Sequence, residues 1–340
     1  MIKIDLRNKL SSQKMSLNAF YSKYVEIVEN ENYSLVMSKN GVYNDKFFLF
    51  TGESQLQLSK RKSEKLKTPE LFISMYNTNI DLKVFIDSIF SPIKNIQQAK
   101  VILREILLMS PDDLKINCEL KNTNKNLNDR IYSLFNYDKH GSYKKRQSSS
   151  LRDLFSSLNF KVCIYCNRNY TSNFLDGEKN RPTFTLDHFY QKEKHPLFAL
   201  SLFNLIPCCS VCNTTIKGTK ILEHYDNPYS SKYDFHQLAS FKLRPFFEVD
   251  LVSNDSKCRD YIKDFKLNEI YKCHTQEVEE FVIRRQIFND KIISKLSDIT
   301  KESTDNIKAS LFGSYKSTTN MGNESLSKLK IDLAKQLLIT

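Results

Sequence analysis

The stretch that decides the reading is Cys163-Ile164-Tyr165-Cys166, Leu186-Asp187-His188, Asn204-Leu205 and Cys209-Ser210-Val211-Cys212-Asn213. Two Cys-x-x-Cys pairs several tens of residues apart have the spacing of a closed tetrahedral metal site, each pair supplying two thiolates from one tight turn. Cys163, Cys166, Cys209 and Cys212 are therefore expected to hold structural zinc (Zn2+), with rubredoxin-like iron as the alternative. Cys208 could exchange with its neighbour, but only Cys209 leaves the two-residue gap to Cys212. Cys118, Cys208, Cys258 and Cys273 otherwise read as small apolar residues. Between and beside the pairs, Asp187, His188, Asn204 and Asn213 form a separate set of oxygen and imidazole groups that a metal-braced scaffold would hold in place.

Working outward, Asn167 to Thr171 leads into a strand, Asp176-Gly177 begins a turn, and Thr183 to Leu186 is the predicted returning strand. Asp187 and His188 end that strand on opposite faces, because strand side chains alternate. The loop Gln191 to Pro196 follows, then a short strand from Asn204 to Pro207. The second cysteine pair opens a helix, with Asn213 in its first turn and Lys217 one turn further on the same face. Upstream, Ser150 with Asp153 resembles a capping box, and Leu151, Leu154, Phe155 and Leu158 trace one face of a short helix that leads to Cys163.

In this order and at these gaps, Asp187-His188, Asn204-Leu205 and Cys212-Asn213-x-x-x-Lys217 resemble the signature of HNH endonucleases. The resemblance covers about residues 160–240. It implies an α+β, mostly α-helical fold: a ββα-metal core braced by the four-cysteine zinc site, with helical regions on either side. The expected division is 1–147, an N-terminal helical region; 148–240, the nuclease core; and 241–340, a C-terminal helical region. By the same resemblance His188 is the general base, Asp187 and Asn213 hold a catalytic divalent ion (Mg2+ or Mn2+), and Asn204 pins the loop that aims His188. Such a set suits phosphodiester hydrolysis, which needs an imidazole near its own pKa and a hard cation at the phosphate. Asn227-Pro228-Tyr229 and Leu326-Ser327-Lys328-Leu329 are also similar to HNH proteins of bacterial anti-phage defence. That wider likeness implies an SMC- or ABC-like ATPase partner. One departure is Gln191, where those relatives usually place Pro.

Lys+Arg of 51 against Asp+Glu of 39 gives a formal charge of +12, which favours an anionic partner such as nucleic acid, DNA first. Lys144, Lys145 and Arg146 around Tyr143 are the best basic patch for phosphate contact. Lys217 and Arg168 are further candidates, though Lys217 could face solvent and Arg168 could brace the first cysteine turn. The cluster Lys60, Arg61, Lys62, Lys65 and Lys67 reads as an exposed loop. His140 reads as a solvated loop residue, and His195 and His224, in polar connections, as surface or local hydrogen-bonding residues. No apolar run approaches a membrane span, and the start lacks a signal-peptide layout. A cytoplasmic protein with reduced thiols is the expectation. With seven glycines and no phosphate-cradling loop, ATP binding by this chain is not expected.

Helical spacing marks Leu17 to Val28 after Ser16, Pro92 to Met109, a long helix from Thr275 to Thr300, and a last stripe of Leu326, Leu329, Leu333 and Leu337. Residues 31–70 look polar and aperiodic, and 301–324 look like a linker. The other function class consistent with the sequence is a non-catalytic zinc-containing nucleic-acid-binding subunit, which would need neither a base nor a second ion.

Overall fold

The computed structural model of the chain describes residues 2–30, 32–37, 43–45, 63–119, 125–135, 151–177, 179–313 and 321–339. They form mostly helices with small antiparallel sheets. Two compact units result: Leu6–Leu158 with His188–Leu205, and Met1–Asp5 with Asn159–Asp187 and Ile206–Thr340. Sequence order suggested three consecutive regions. By contact, the segment 188–205 instead groups with the N-terminal helices, and the first five residues with the C-terminal part.

The first unit begins with α1 (Leu6–Ser11) and α2 (Leu17–Glu29). Ser16 caps α2, its side chain accepting from the Ala19 amide, and Phe20, Tyr24, Val25 and Val28 form its buried stripe. The region read as aperiodic contains three strands, β1 (Asn32–Met37), β2 (Tyr43–Asp45) and β3 (Ser63–Lys67), paired antiparallel in the order β2-β1-β3. Of the basic cluster expected in a loop, Lys65 and Lys67 lie on β3, and Lys60, Arg61 and Lys62 lie outside the described residues. Next come α3 (Thr68–Thr78), α4 (Ile80–Ile89), α5 (Ile96–Leu108), α6 (Pro111–Glu119), α7 (Lys125–Leu134) and α8 (Leu151–Ser156). Helix α5 starts later than its apolar pattern suggested because the Asn95 side chain caps it at the Gln98 amide. Its Ile102, Leu103, Ile106 and Leu107 are buried, as the stripe predicted. Leu151, Leu154, Phe155 and Leu158 are buried too, while Ser150 lies outside the described residues.

In the second unit, β4 (Asn173–Asp176) and β5 (Lys179–Pro182) form a hairpin. Gly177 takes the left-handed φ of 62° that its turn requires. The tight turn makes Lys179–Pro182, rather than Thr183–Leu186, the returning strand, and the ladder ends near Pro182, which has no N–H to give. Strand β6 (Thr185–His188) pairs with β7 (Leu205–Cys208) in a separate sheet. Then come α9 (Phe235–Leu238), the hairpin of β8 (Ala239–Leu243) and β9 (Val249–Ser253), α10 (Ser256–Asp264) and α11 (Leu267–Tyr271). The long helix expected over 275–300 is broken into α12 (Thr275–Ile287) and α13 (Asp290–Thr300), because the Asn289 side chain caps a new start at the Ile292 amide. Part of the expected linker is α14 (Thr304–Phe312), capped by Ser303. The last helix, α15 (Ser327–Gln336), buries Leu329 and Leu333 and also Lys328, Ile331 and Asp332.

The start of α15 is fastened to the first cysteine turn through one residue. Asn167 is fully buried and has a left-handed φ of 52°. Its Nδ2 donates to the Met321 carbonyl at 3.0 Å, and its Oδ1 accepts from the Lys328 amide at 2.8 Å and the Ser327 hydroxyl at 3.1 Å. Its carbonyl accepts from the Leu326 amide at 2.8 Å. Asn tolerates this backbone conformation and supplies both donor and acceptor. Asn167→Gly keeps the backbone permissive but leaves buried partners unsatisfied, so it should lower stability by about 2–4 kcal/mol. Asn167→Ala should cost more, because its Cβ resists positive φ. Denaturant unfolding of the three proteins measures both, and equal stability of Ala and Gly variants would show that φ contributes nothing.

Candidate metal centre

The sulfurs of Cys163, Cys166, Cys209 and Cys212 all lie within 4.8 Å of one another and all four residues are buried. A tetrahedral ion with bonds of about 2.3 Å to thiolates places its ligands about 3.8 Å apart, so the quartet fits such an ion with little movement. These four buried cysteines could hold a metal ion such as zinc. Two local turns deliver them. In the first, the Asn167 amide donates to the Cys163 carbonyl at 2.8 Å and the Cys163 amide to the Asn169 carbonyl at 2.9 Å. In the second, β7 runs into a wide, π-helical segment, Val211–Lys217, in which the Gly218 amide reaches back to the Asn213 carbonyl.

Two amide donors favour negative charge on one of the sulfurs, that of Cys209. The Asn169 side-chain amide donates to Cys209 Sγ at 3.3 Å and the Cys212 backbone amide to the same atom at 3.4 Å. Hydrogen bonds from Cys163, Cys166 and Cys212 hold the Cys209 thiol well below its ordinary range, while burial pushes Cys163 up. Donors of this kind orient and tune ligating sulfurs. Cys208 is not part of the quartet: its Sγ lies 3.5 Å from the Thr185 hydroxyl. An aromatic wall closes the other side. The Tyr271 hydroxyl donates to the Cys166 carbonyl at 2.8 Å and the Tyr261 hydroxyl to the Tyr165 carbonyl at 3.3 Å. Phe265 stacks on Tyr261 with centroids 4.4 Å apart and packs on Tyr165 at 4.7 Å. The tyrosines show no period that links them to the cysteines, so the sequence carried no signal for this wall.

In the same unit, Asp187 is 3% exposed. Its Oδ1 accepts from Lys217 Nζ at 2.6 Å and its Oδ2 from the Tyr165 hydroxyl at 2.6 Å. Burial and the neighbouring carboxylate push the Tyr165 phenol well above its ordinary range, which keeps it a donor. Asn213 lies beside this pair without joining it: its Nδ2 donates to the Thr185 hydroxyl at 3.1 Å, two residues before Asp187 on the strand. The i,i+4 spacing did place Lys217 and Asn213 on one face of the turn, but that face meets β6. Lys217 is therefore buried against a carboxylate and is not a surface phosphate contact. Asp187, expected to ligate a divalent ion, presents its carboxylate to an ammonium and a phenol. This arrangement does not fit a hydrated Mg2+ or Mn2+, so no chemical step is assigned to such an ion.

His188 and Asn204 belong to the other unit. His188 is 8% exposed, and its Nε2 lies 2.9 Å from the Ala199 carbonyl oxygen. A carbonyl can only accept, so Nε2 carries the proton and the lone pair of the neutral ring is on Nδ1. The fully buried Asn204 cross-braces the intervening loop. Its Oδ1 accepts from the Tyr190 amide at 2.7 Å, and its Nδ2 donates to the Tyr190 carbonyl at 3.1 Å and the Phe198 carbonyl at 2.9 Å. The loop is anchored further by the Tyr24 hydroxyl, which donates to the Leu200 carbonyl, and the Ser201 hydroxyl, which donates to the Ile106 carbonyl. His195, read as a surface or local hydrogen-bonding residue, is not at the surface: it is 5% exposed and packs edge-on against Tyr190. His224 is exposed and lies against Tyr225.

Arg168 braces the first cysteine turn: its Nε donates to His274 Nε2 at 2.8 Å, and His274 in turn lies 2.9 Å from Glu277. Lys144, Lys145, Arg146 and His140 lie outside the described residues. No helix among the described residues is long and apolar enough to cross a membrane. No protein-family model matches the chain, and no curated protein or solved structure matches it.

Two outcomes check this geometry. Cys209→Ser should lose bound metal and unfold more readily, whereas Cys208→Ser should keep about one metal ion per chain by elemental analysis; the reverse pattern would assign the site to Cys208. Lys217→Met removes one member of a buried pair, and stability should fall by about 3–5 kcal/mol. Unchanged urea unfolding would mean that the pair does not form in solution.

Proposed function

We propose that the chain is a zinc-braced endonuclease of HNH type that hydrolyses phosphodiester bonds, with DNA as the first candidate substrate. The observation that supports this reading is the state of His188. Its Nε2–H is committed to the Ala199 carbonyl, so Nδ1 is the basic nitrogen, and a loop fixed by three Asn204 hydrogen bonds sets the ring's position. A histidine held as one tautomer is what general-base activation of a water requires. In this role Nδ1 takes the proton from the attacking water, and the Ala199 carbonyl keeps the resulting imidazolium in place. The family resemblance implies a divalent ion as well, but Asp187 is taken up by Lys217 and Tyr165, so the proposal rests on His188 and routes no step through an ion. The four-cysteine centre is the scaffold, with zinc as the proposed metal, and an SMC- or ABC-like ATPase is the proposed regulator within an anti-phage defence system.

A non-catalytic nucleic-acid-binding subunit is the competing class. Plasmid cleavage and DNA affinity measured on the same preparations separate the two, with magnesium or manganese and with or without the ATPase. His188→Ala should reduce cleavage at least about a hundredfold, the usual scale for loss of a positioned base, and leave affinity nearly unchanged. Wild-type cutting by this variant would remove His188 from the mechanism.

A further inference from the structure

A second site lies in the C-terminal part of the chain, where α15 packs along β8. There a cleft of about 520 Å³ is lined by His236, Lys242, Lys328, Asp332, Lys335 and Gln336, among others. Its frame is rigid. Asp332 Oδ2 accepts from the Phe241 amide at 2.8 Å, and Gln336 bridges the same strand, donating to the Phe241 carbonyl at 2.8 Å and accepting from the Leu243 amide at 3.1 Å. Three hydrogen bonds thus join the helix to the strand edge.

The charges in this frame do not balance. Lys328 and Asp332 form a buried pair at 2.5 Å, which offsets one lysine. Lys242 and Lys335 line the same space and are exposed. The His236 Nδ1 atom is buried without a hydrogen-bond partner, and the nearest carboxylate oxygen, on Asp234, is 3.7 Å away. The cations feel one another. Burial lowers the Lys328 ammonium, with Lys335 and Lys242 adding to the effect against Asp332. Burial likewise lowers His236, helped by Lys328, Lys3 and Lys335 and opposed by Asp234. Like charges gathered in a cleft destabilise the fold unless something compensates them. A multiply charged oxyanion does so, accepting charge-assisted hydrogen bonds from two exposed ammonium groups and from the imidazole. The volume falls within the range of small-ligand pockets and exceeds what one inorganic ion fills.

We propose that the cleft between β8 and α15 is a phosphate-binding site, in which Lys242, Lys335 and His236 receive a phosphoryl group of a nucleotide or of a nucleic-acid backbone. The site stands on residues other than Asp187, His188 and Asn213, and its test reads binding rather than cleavage. Failure of the nuclease reading and failure of this one are therefore distinguishable.

The test uses the full chain with its metal, without added divalent ions, and three probes: inorganic phosphate and ATP by calorimetry, and a fluorescein-labelled single-stranded 20-mer by anisotropy. The variant Lys242→Gln/Lys335→Gln alters only exposed heads and should keep the metal content and melt no lower than the wild type. The control Lys291→Gln/Lys295→Gln removes the same charge from the exposed face of α13. Relative to that control, the cleft variant should bind ATP or the 20-mer at least tenfold more weakly. His236→Gln, which leaves both lysines in place, should weaken the same probe severalfold. Loss of ATP binding assigns the cleft to a mononucleotide; loss confined to the 20-mer assigns it to a polynucleotide backbone. A cleft variant that matches its control, or no saturable binding of any of the three probes, overturns the proposal.

Discussion

Four sulfurs in a space a few ångströms across, all buried, are the constraint on which the second unit depends. Thiols packed this closely cannot all ionise without a compensating charge, and thiolates are too costly to bury unpaired. The groups around the quartet are arranged for that charge: amides directed at Cys209 Sγ, and tyrosine hydroxyls that fix the carbonyls of the cysteine turn. The stacked Tyr261 and Phe265 supply the apolar surroundings in which metal–thiolate bonds, once formed, would reinforce the core.

The same centre connects to the polar residues through very short stretches of chain. Cys166 is one residue from Asn167, which holds α15, and Tyr165, between the first two ligands, donates to Asp187. Cys212 precedes Asn213, and Lys217 lies on the same π-helical segment. Disturbing the metal would therefore reach the Asp187–Lys217 pair through one or two peptide units and α15 through one side chain. The pair is held in place because removing either partner would leave the other as an uncompensated buried charge. A buried ammonium at 2.6 Å is a strong partner, and any ligand for Asp187 has to be stronger.

What was legible in the sequence was local. The Cys-x-x-Cys spacing identified the four cysteines that cluster and preferred Cys209 over Cys208, and Ser16, the α5 stripe and the short helix before Cys163 followed from caps and periodicity. Side-chain partnerships across long separations were not legible. Lys217 reads as solvent-facing because lysine usually is, and only the fold reveals that its face of the turn meets β6. His195 sits in a polar segment, yet its loop is drawn under the N-terminal helices, where Tyr190 covers it. The break at Asn289 and the helix after Ser303 were missed because apolar periodicity continued through the first and was weak in the second. In both places a capping side chain, not the stripe, sets the boundary.

The Asn167 anchor has a consequence for the order in which the molecule can be made. Its partners, Met321, Ser327 and Lys328, lie 154 to 161 residues downstream. On a ribosome adding about 5–20 residues per second, that separation is a delay of roughly 8–30 s. For the last three quarters or so of this interval both cysteine pairs have left the peptidyl-transferase centre, but the segment that closes over the first pair does not yet exist. An ion captured early would sit in a half-built knuckle, open to exchange and to oxidation of its thiols. The centre is thus closed last, by its last-made part, and a nascent chain stalled before Met321 would hold any bound metal least securely.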